Sequence, residues 1–280
     1  MDAKHDQIRP LTRWVAAAVF PILWLAFLIL YFLPDATGER FAWLIRPHMT
    51  SLYMGAGYLG GSWLFIHTAF GKRWHHVQAG FPAVTFFTWA MLTATLLHWD
   101  RFSHGRLGFT LWLILYIITP VLVPALWLSN RGTDPGRPEE DDQLIPGWMS
   151  LILRLIGAAA LVFAFLGLVS PSIAIKVWPW TLTPLTARVM SGWIGLLGVG
   201  SVVISAEKRW SGWRVPMQSI FIWHVLVLVA AVLNRADFTA GILNWYTMAI
   251  LFLVAGILFI LLFMESRRLK SSRRSTPVQL

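Results

Sequence analysis

Long apolar runs alternate with short polar segments along the whole chain. Eight runs are long enough for a helix, which rises about 1.5 Å per residue, to cross the hydrocarbon core of a bilayer. They cover residues 14–32, 49–70, 79–97, 108–129, 148–169, 186–205, 214–233 and 241–264. The pattern predicts an all-α integral membrane protein with eight transmembrane helices.

One stretch in the first half of the chain recurs in the second half. FAWLIRPHMTSLYMGAGYLGG, residues 41–61, aligns with WPWTLTPLTARVMSGWIGLLG, residues 178–198. Identical pairs include Trp43 and Trp180, Pro47 and Pro184, Gly55 and Gly192, Gly61 and Gly198. After one deleted residue they also include Lys72-Arg73-Trp74 and Lys208-Arg209-Trp210, and Phe102 and Phe238. Matches at a constant offset predict a tandem duplication. Four spans per unit, an even number, make the two four-helix repeats parallel in the membrane.

The repeat also predicts the domain organisation. Residues 1–130 form the N-terminal four-helix repeat, and residues 148–265 form the C-terminal one. Residues 131–147 contain prolines and the acidic run Glu139 to Asp142, so they are predicted to be a cytoplasmic linker. Residues 266–280 are predicted to be a basic cytoplasmic tail.

The amino-acid composition supports a membrane protein and restricts the classes of partner that are expected. Of the residues, 57% are hydrophobic and 13% are charged, against about 25% charged in an average soluble domain. The net charge is +10, but the basic residues are spread between apolar runs and do not form one patch with aromatic residues. We therefore expect a lipid bilayer and no nucleic acid as partner. The chain has no cysteine, which excludes disulfides, thiolate metal sites and thiol catalysis.

The distribution of Lys and Arg predicts the orientation. These residues are most frequent in the N-terminal segment, in the loops after the second, fourth and sixth spans, and in the C-terminal segment. Since basic loops stay on the cytoplasmic side, both termini are predicted to be cytoplasmic.

Small residues four positions apart mark two helix faces. Gly57 and Gly61 form one such face, and Ser191 and Gly195 form another. Small residues let helix backbones approach closely in a membrane. These glycine-rich faces are expected to pack helices together, within a homo-oligomer or against a membrane-protein partner.

The richest group of chemically capable residues lies near the outer ends of the second and third spans. This candidate outer-face site contains Arg46, His48, His98, Asp100 and His104. An antiparallel helix pair is expected to bring these ends together in one pocket. Imidazole and carboxylate together suit Zn²⁺ or Mn²⁺, or a general base with its orienting acid. The alternative is structural, with Asp100 and Arg101 at the interface and pairing with Arg46.

The second repeat lacks most of this group. Thr183, Leu185 and Asn234 occupy the positions that correspond to Arg46, His48 and His98. Loss of ionisable residues from one repeat is compatible with a single functional site in the other repeat. It is equally compatible with drift.

Two histidines fall inside predicted spans. His224 lies near the middle of the seventh span, and His67 lies near the inner end of the second. A haem held by two histidines needs both at one depth, which these positions do not match. Each is therefore predicted to be a neutral histidine bonded to a neighbouring helix. His75 and His76 are interpreted as interfacial anchors beside Trp74.

Two motifs in the first half of the chain, and one in the second half, resemble the patterns of a known family. FAWLIRPHMTSLYMGAGY and LLHWDRF, with WPWTLTPLTAR, resemble patterns of a family of bacterial multi-pass membrane proteins that has no known activity. The resemblance covers nearly all of residues 12–265. It implies a bacterial cytoplasmic (inner) membrane, and it implies no catalytic residue, cofactor or ligand.

Three functional hypotheses follow. The first is a small transporter or channel-like permease with its path between the two repeats. The second is a membrane-embedded enzyme or a metal- or cofactor-binding protein that uses the outer-face His and Asp residues. The third is a non-catalytic scaffold or accessory subunit. The sequence identifies no cofactor, and it contains no Walker loop, dinucleotide fingerprint, H-E-x-x-H or G-x-S-x-G motif.

Overall fold

Eight long helices account for most of the chain. The computed structural model describes residues 5–275, and within that range it contains helices, turns and three isolated β-bridges. The long helices are α1 Pro10–Phe32, α3 His48–Phe70, α4 Gly80–Leu97, α5 Leu107–Asn130, α6 Gly147–Val169, α8 Pro184–Ile204, α9 Trp210–Leu233 and α10 Ile242–Ser275. The short helices are α2 Thr37–Arg40 and α7 Pro171–Val177. Hydropathy predicted the positions of all eight long helices.

The ends of the helices follow from local sequence. Proline begins α1, α7 and α8, where its missing N–H leaves no helical hydrogen bond unmade. Thr183 caps α8, because its hydroxyl accepts from the N–H of Thr186 while the Thr186 hydroxyl accepts from the N–H of Thr183. Helix α10 continues past the predicted boundary at residue 265, since residues 266–275 contain neither glycine nor proline. Residues 1–4 and 276–280, parts of the predicted first repeat and basic tail, lie outside the described residues.

Seven of the long helices are long and apolar enough to cross a membrane, namely α1, α4, α5, α6, α8, α9 and α10. The chain is therefore a polytopic membrane protein. Helix α3 is as long as α1 but less apolar, and it is the helix most enclosed by others. It packs against α1 on one side and α9 on another, so most of its residues are buried. A helix surrounded by protein does not need the apolar surface that lipid requires.

The two halves of the chain meet through the α3–α9 and α4–α8 contacts. A Cβ added to Gly57 would lie 2.6 Å from the ring of Trp193, and one added to Gly195 would lie 2.0 Å from the ring of Phe86. Ser191 is also buried. Gly57, Ser191 and Gly195 therefore pack helices of the same chain together, and an interface with another protein through these faces stays a prediction.

Polar segments gather at the two ends of the bundle. The linker end contains residues 5–9, 71–79, 130–146 and 205–214. It is joined by β-bridges from Gln7 to Arg73 and from Leu144 to Arg209. The hairpin end contains residues 33–47, 98–106, 170–183 and 234–241. It is joined by hydrogen bonds from the N–H of Ser103 to the oxygen of Ala42 (2.9 Å) and from the N–H of Thr239 to the oxygen of Pro179 (3.0 Å).

Candidate functional site

Arg46 and His48, both predicted to belong to the outer-face site, share a partner that the sequence analysis missed. Asp35, in a 3₁₀ turn after α1, lies 2.8 Å from Nη2 of Arg46 and 3.0 Å from Nε2 of His48. The hydrogen bond from Arg46, and then that from His48, lowers the pKa of the Asp35 carboxyl. Arg46 and His48 also line an open pocket of about 440 Å³ with Thr183 and Asp237.

The other three predicted residues have different partners. Nε2 of His98 lies 2.7 Å from Nη1 of Arg188, which comes from the second half of the chain. Burial, and then the charge of Arg188, lowers the pKa of His98, so this imidazole accepts the Arg188 hydrogen bond in its neutral form. Within residues 5–275, Asp100 forms one ion pair, with its exposed neighbour Arg101 at 3.1 Å. His104 bonds the carbonyl oxygen of Trp99 at 2.8 Å.

The structure therefore gives the five predicted residues different partners. Among the described residues, no hydrogen bond or ion pair joins Arg46 or His48 to His98 or Asp100. The reason is local, because the 3₁₀ turn Trp99–Arg101 leaves the Asp100 carboxylate 75% exposed. Asp35 takes the place beside Arg46 that was expected for Asp100.

The two histidines within the helices bond to their own helix. Nδ1 of His67 lies 2.9 Å from the oxygen of Trp63, and Nδ1 of His224 lies 2.8 Å from the oxygen of Ile220. Each of these hydrogen bonds reaches the backbone carbonyl four residues earlier, as Ser and Thr hydroxyls also do within helices. The prediction that these histidines bond to neighbouring helices is therefore wrong, since each bonds the carbonyl of the preceding turn of its own helix.

A cavity lies between the two halves. Its volume is about 150 Å³ and its wall is almost entirely apolar. Seven helices each contribute to it, through Val19, Tyr58, Val84, Val123, Leu153, Trp193 and Trp223. The hydroxyls of Tyr58 and Tyr116 lie 2.9 Å apart and satisfy one another. The cavity is therefore suited to an apolar group.

The densest polar network lies at the linker end, where the sequence analysis placed only anchoring residues. His75, 1% exposed, contacts the buried carboxylate of Asp6 through Nδ1. Its Nε2 lies 2.9 Å from Oγ of Ser211, at the start of α9. The Ser211 hydroxyl in turn donates to Asp142. Asp6 adopts φ 50°, a left-handed conformation that Asp tolerates better than most residues.

His76 and Glu139 extend this network. Nε2 of His76 lies 2.7 Å from Oε1 of Glu139, and the same oxygen lies 3.5 Å from Nε2 of His75. Burial, and then the charge of His75, lowers the pKa of His76, although Glu139 opposes the shift. Nε of Arg73 lies 3.3 Å from this carboxylate. His76 and Glu139 line a polar cavity of about 240 Å³.

A buried arginine lies next to this network. Arg209 pairs with Asp134 (2.7 Å) and Glu207 (2.6 Å), and all three side chains are largely enclosed. Burial would raise the pKa of Asp134, but hydrogen bonds from Arg209, from the N–H of Gly136 and from Gln78 hold it well below its usual range.

Sequence signals for the linker-end network were present but separate. The His75-His76 pair and the acidic run in the linker are both visible in the chain, whereas no spacing relates them to Asp6 or Ser211. The loops bring them together only in the folded bundle. No known protein family, curated protein or solved structure matches the chain.

Proposed function

We propose that this chain is a small permease of a bacterial cytoplasmic membrane, with its solute path between two four-helix halves. The carrying observation is the apolar cavity of about 150 Å³ to which seven helices from both halves contribute. Duplicated membrane proteins commonly bind their solute between the repeats.

Equivalent contacts support the duplication. The backbone N–H of Trp74 donates to the backbone carbonyl oxygen of Asp6 at 2.9 Å. The backbone N–H of Trp210, the corresponding residue, donates to the backbone carbonyl oxygen of Gln143 at the same distance. The ring of Trp43 lies 5.3 Å from that of Phe102, and the ring of Trp180 lies 5.3 Å from that of Phe238. By the same alignment, α3 corresponds to α8 and α4 corresponds to α9. The α3–α9 contact is therefore the equivalent of the α8–α4 contact, and both are present.

On this proposal α3 is an eighth span and both termini are cytoplasmic. The length of α3, 23 residues, equals that of α1, and its burial by neighbouring helices removes the need for high hydropathy. The linker end holds Arg73, Arg209 and Arg214, which agrees with the rule that basic loops stay in the cytoplasm.

Cavity size and chemistry restrict the solute. An apolar cavity of about 150 Å³ accommodates a molecule about the size of benzene. No Asp, Glu, Lys or Arg lines it, so a charged group would have to remain outside it. The proposed solute is therefore a small amphipathic molecule whose apolar part occupies the cavity.

Flux through proteoliposomes tests the proposal. The probes are benzenesulfonate and benzyltrimethylammonium, whose permanent charges slow their passage through lipid alone. We expect the purified protein to accelerate uptake of at least one probe. Val123→Phe fills the cavity wall and should abolish that uptake. Val121→Phe, two residues away on α5 but 67% exposed, is the matched control and should leave uptake unchanged.

Two results would contradict this function. Neither probe moving faster than through empty liposomes would exclude transport of this solute class. Equal uptake by the Val123→Phe and Val121→Phe variants would show that the path does not use the cavity. Copurifying subunits in the absence of flux would favour the accessory role instead.

A further inference from the structure

The linker-end network offers a set of metal ligands independent of the proposed transport path. Nε2 of His75, Nε2 of His76 and Oε1 of Glu139 lie within 4.8 Å of one another. Two imidazoles and one carboxylate are a ligand set that zinc uses in proteins when it keeps its fourth position open. We propose that these three residues bind a divalent transition-metal cation of the zinc class.

Hydrogen-bond accounting at His75 supports a cation. Nδ1 of His75 faces the Asp6 carboxylate, which leaves Nε2 as the nitrogen that can bind a metal. Its neighbours are Oγ of Ser211, whose proton goes to Asp142, and Oε1 of Glu139. A metal ion bound at Nε2 would also attract Oγ of Ser211 and Oε1 of Glu139, which lie 2.9 and 3.5 Å from that nitrogen.

Asp6 has the role of an orienting partner. Metal-binding histidines commonly donate their other ring N–H to a carboxylate, which fixes the tautomer and the ring orientation. Asp6 also accepts the backbone N–H of His75, at 3.1 Å. Both carboxylate oxygens of Asp6 therefore hold His75 with Nε2 towards His76 and Glu139.

The distances require only small movements. Tetrahedral ligands about 2.0–2.1 Å from zinc lie about 3.3 Å from one another. The His75–Glu139 separation is already 3.5 Å, while the His76–Glu139 contact of 2.7 Å would have to lengthen. Because His76 and Glu139 line the 240 Å³ polar cavity, a fourth ligand can approach from there.

Two neighbouring groups are assigned differently. Asp134 could join Asp6 and His75 in a second ligand set. However, both of its oxygens accept from Arg209, at 2.8 and 2.7 Å, so it is committed to that pair. Arg73 lies beside Glu139 and competes with a cation, but its half-exposed side chain is free to turn towards solvent.

Metal binding by the purified full-length protein tests the assignment. The protein is stripped with a chelator and dialysed against Zn²⁺ at neutral pH, and the bound metal is measured per chain. We expect one ion per chain. Glu139→Gln and His76→Ala should each weaken binding at least tenfold, and Asp6→Asn should weaken it about 10–100-fold. Arg73→Gln should leave binding unchanged or tighten it.

Matched controls separate the site from general surface binding. Glu140→Gln changes the exposed neighbour of Glu139, and His67→Ala changes a histidine of the same cavity outside the ligand set. Both should bind Zn²⁺ like the unaltered protein. Co²⁺ provides a second measurement, because a tetrahedral site gives intense visible absorption that Glu139→Gln and Asp6→Asn should change.

Three outcomes would overturn the site. Absence of stoichiometric Zn²⁺ would show that His75, His76 and Glu139 do not form a metal site. Equal losses in Glu139→Gln and Glu140→Gln would indicate non-specific binding. Full binding by both His76→Ala and Glu139→Gln would place the metal elsewhere. None of these results bears on solute flux, so the metal site and the proposed permease fail independently.

Discussion

At the scale of single residues, Asp134 illustrates how the linker end is stabilised. Its carboxylate accepts hydrogen bonds from both terminal nitrogens of Arg209, a side chain that is 6% exposed. It also accepts hydrogen bonds from the Gln78 amide and from the backbone N–H of Gly136. Removing one partner of a buried ion pair leaves an incompletely compensated charge. Glu207 remains beside Arg209 and limits the cost.

We therefore expect Asp134→Asn to lower the free energy of unfolding by about 1–3 kcal/mol at neutral pH. Asp100→Asn is the matched control. Its carboxylate is 75% exposed and pairs with the exposed Arg101, so the loss should be at most about 1 kcal/mol. Unfolding of the purified proteins in detergent measures both values. Equal losses would show that the buried pair contributes nothing beyond an exposed one.

The lowered pKa of Asp134 also gives this difference a pH dependence. A carboxyl with a depressed folded-state pKa stabilises the fold above its ordinary value of 3.8 and loses that contribution as the pH falls towards the folded-state pKa. The unaltered protein and Asp134→Asn should therefore converge in stability below about pH 4. A difference that persists undiminished into stronger acid would contradict the ion-pair explanation.

Sequence alone predicted some of these residue contacts poorly, for a physical reason. Arg46, His48 and His98 were recognised as chemically capable, but their partners Asp35 and Arg188 come from other helices or turns. A hydrogen bond between distant segments depends on loop conformation to within about an ångström. Hydropathy and spacing do not specify loops at that precision.

At the scale of helices, prediction was much better, because a lipid-facing surface must be apolar over a full membrane thickness. The most informative helix is α3, the least apolar of the eight, which packs within the bundle. Gly57 lies against Trp193, whose ring is itself held by Tyr58 (5.1 Å), Phe87 (4.3 Å) and Trp223 (5.1 Å). Gly61, one turn later, meets only Leu23 at an ordinary 3.8 Å.

Alanine substitution should distinguish these two glycines. Gly57→Ala places a methyl group 2.6 Å from an immobilised ring, so we expect a loss of about 1–3 kcal/mol. Gly61→Ala has space and gains helix propensity, so its stability should be unchanged or higher by up to about 1 kcal/mol. Thermal unfolding in detergent compares the two. Similar values for both variants would show that Trp193 moves aside freely.

At the scale of the whole molecule, the arrangement of eight helices fixes which loops share a side. Residues 38, 104, 174 and 237 all belong to the hairpin end, whereas residues 78 and 137 belong to the linker end. With α3 as a span and basic loops in the cytoplasm, the first four positions are expected to face outwards.

Reporter fusions test this topology directly. Fusions at residues 38, 104, 174 and 237 should give the periplasmic signal. Fusions at residues 78 and 137 are the controls and should give the cytoplasmic signal. A cytoplasmic signal at residue 38 with a periplasmic one at residue 104 would mean that α1 does not cross the membrane as proposed. A cytoplasmic signal at any one of residues 38, 104, 174 and 237 would contradict the parallel arrangement of the two halves.

The contact between His75 and Ser211 has an evolutionary consequence under the proposed duplication. Each residue directly follows a Lys-Arg-Trp triplet, so the two positions are equivalent, and they meet at 2.9 Å. In an ancestral pair of identical half-length chains, this place would bring two copies of one side chain together, imidazole on imidazole or hydroxyl on hydroxyl. Fusion into a single gene lets each copy mutate alone. Two different side chains can meet at this place only after the two halves have ceased to be identical.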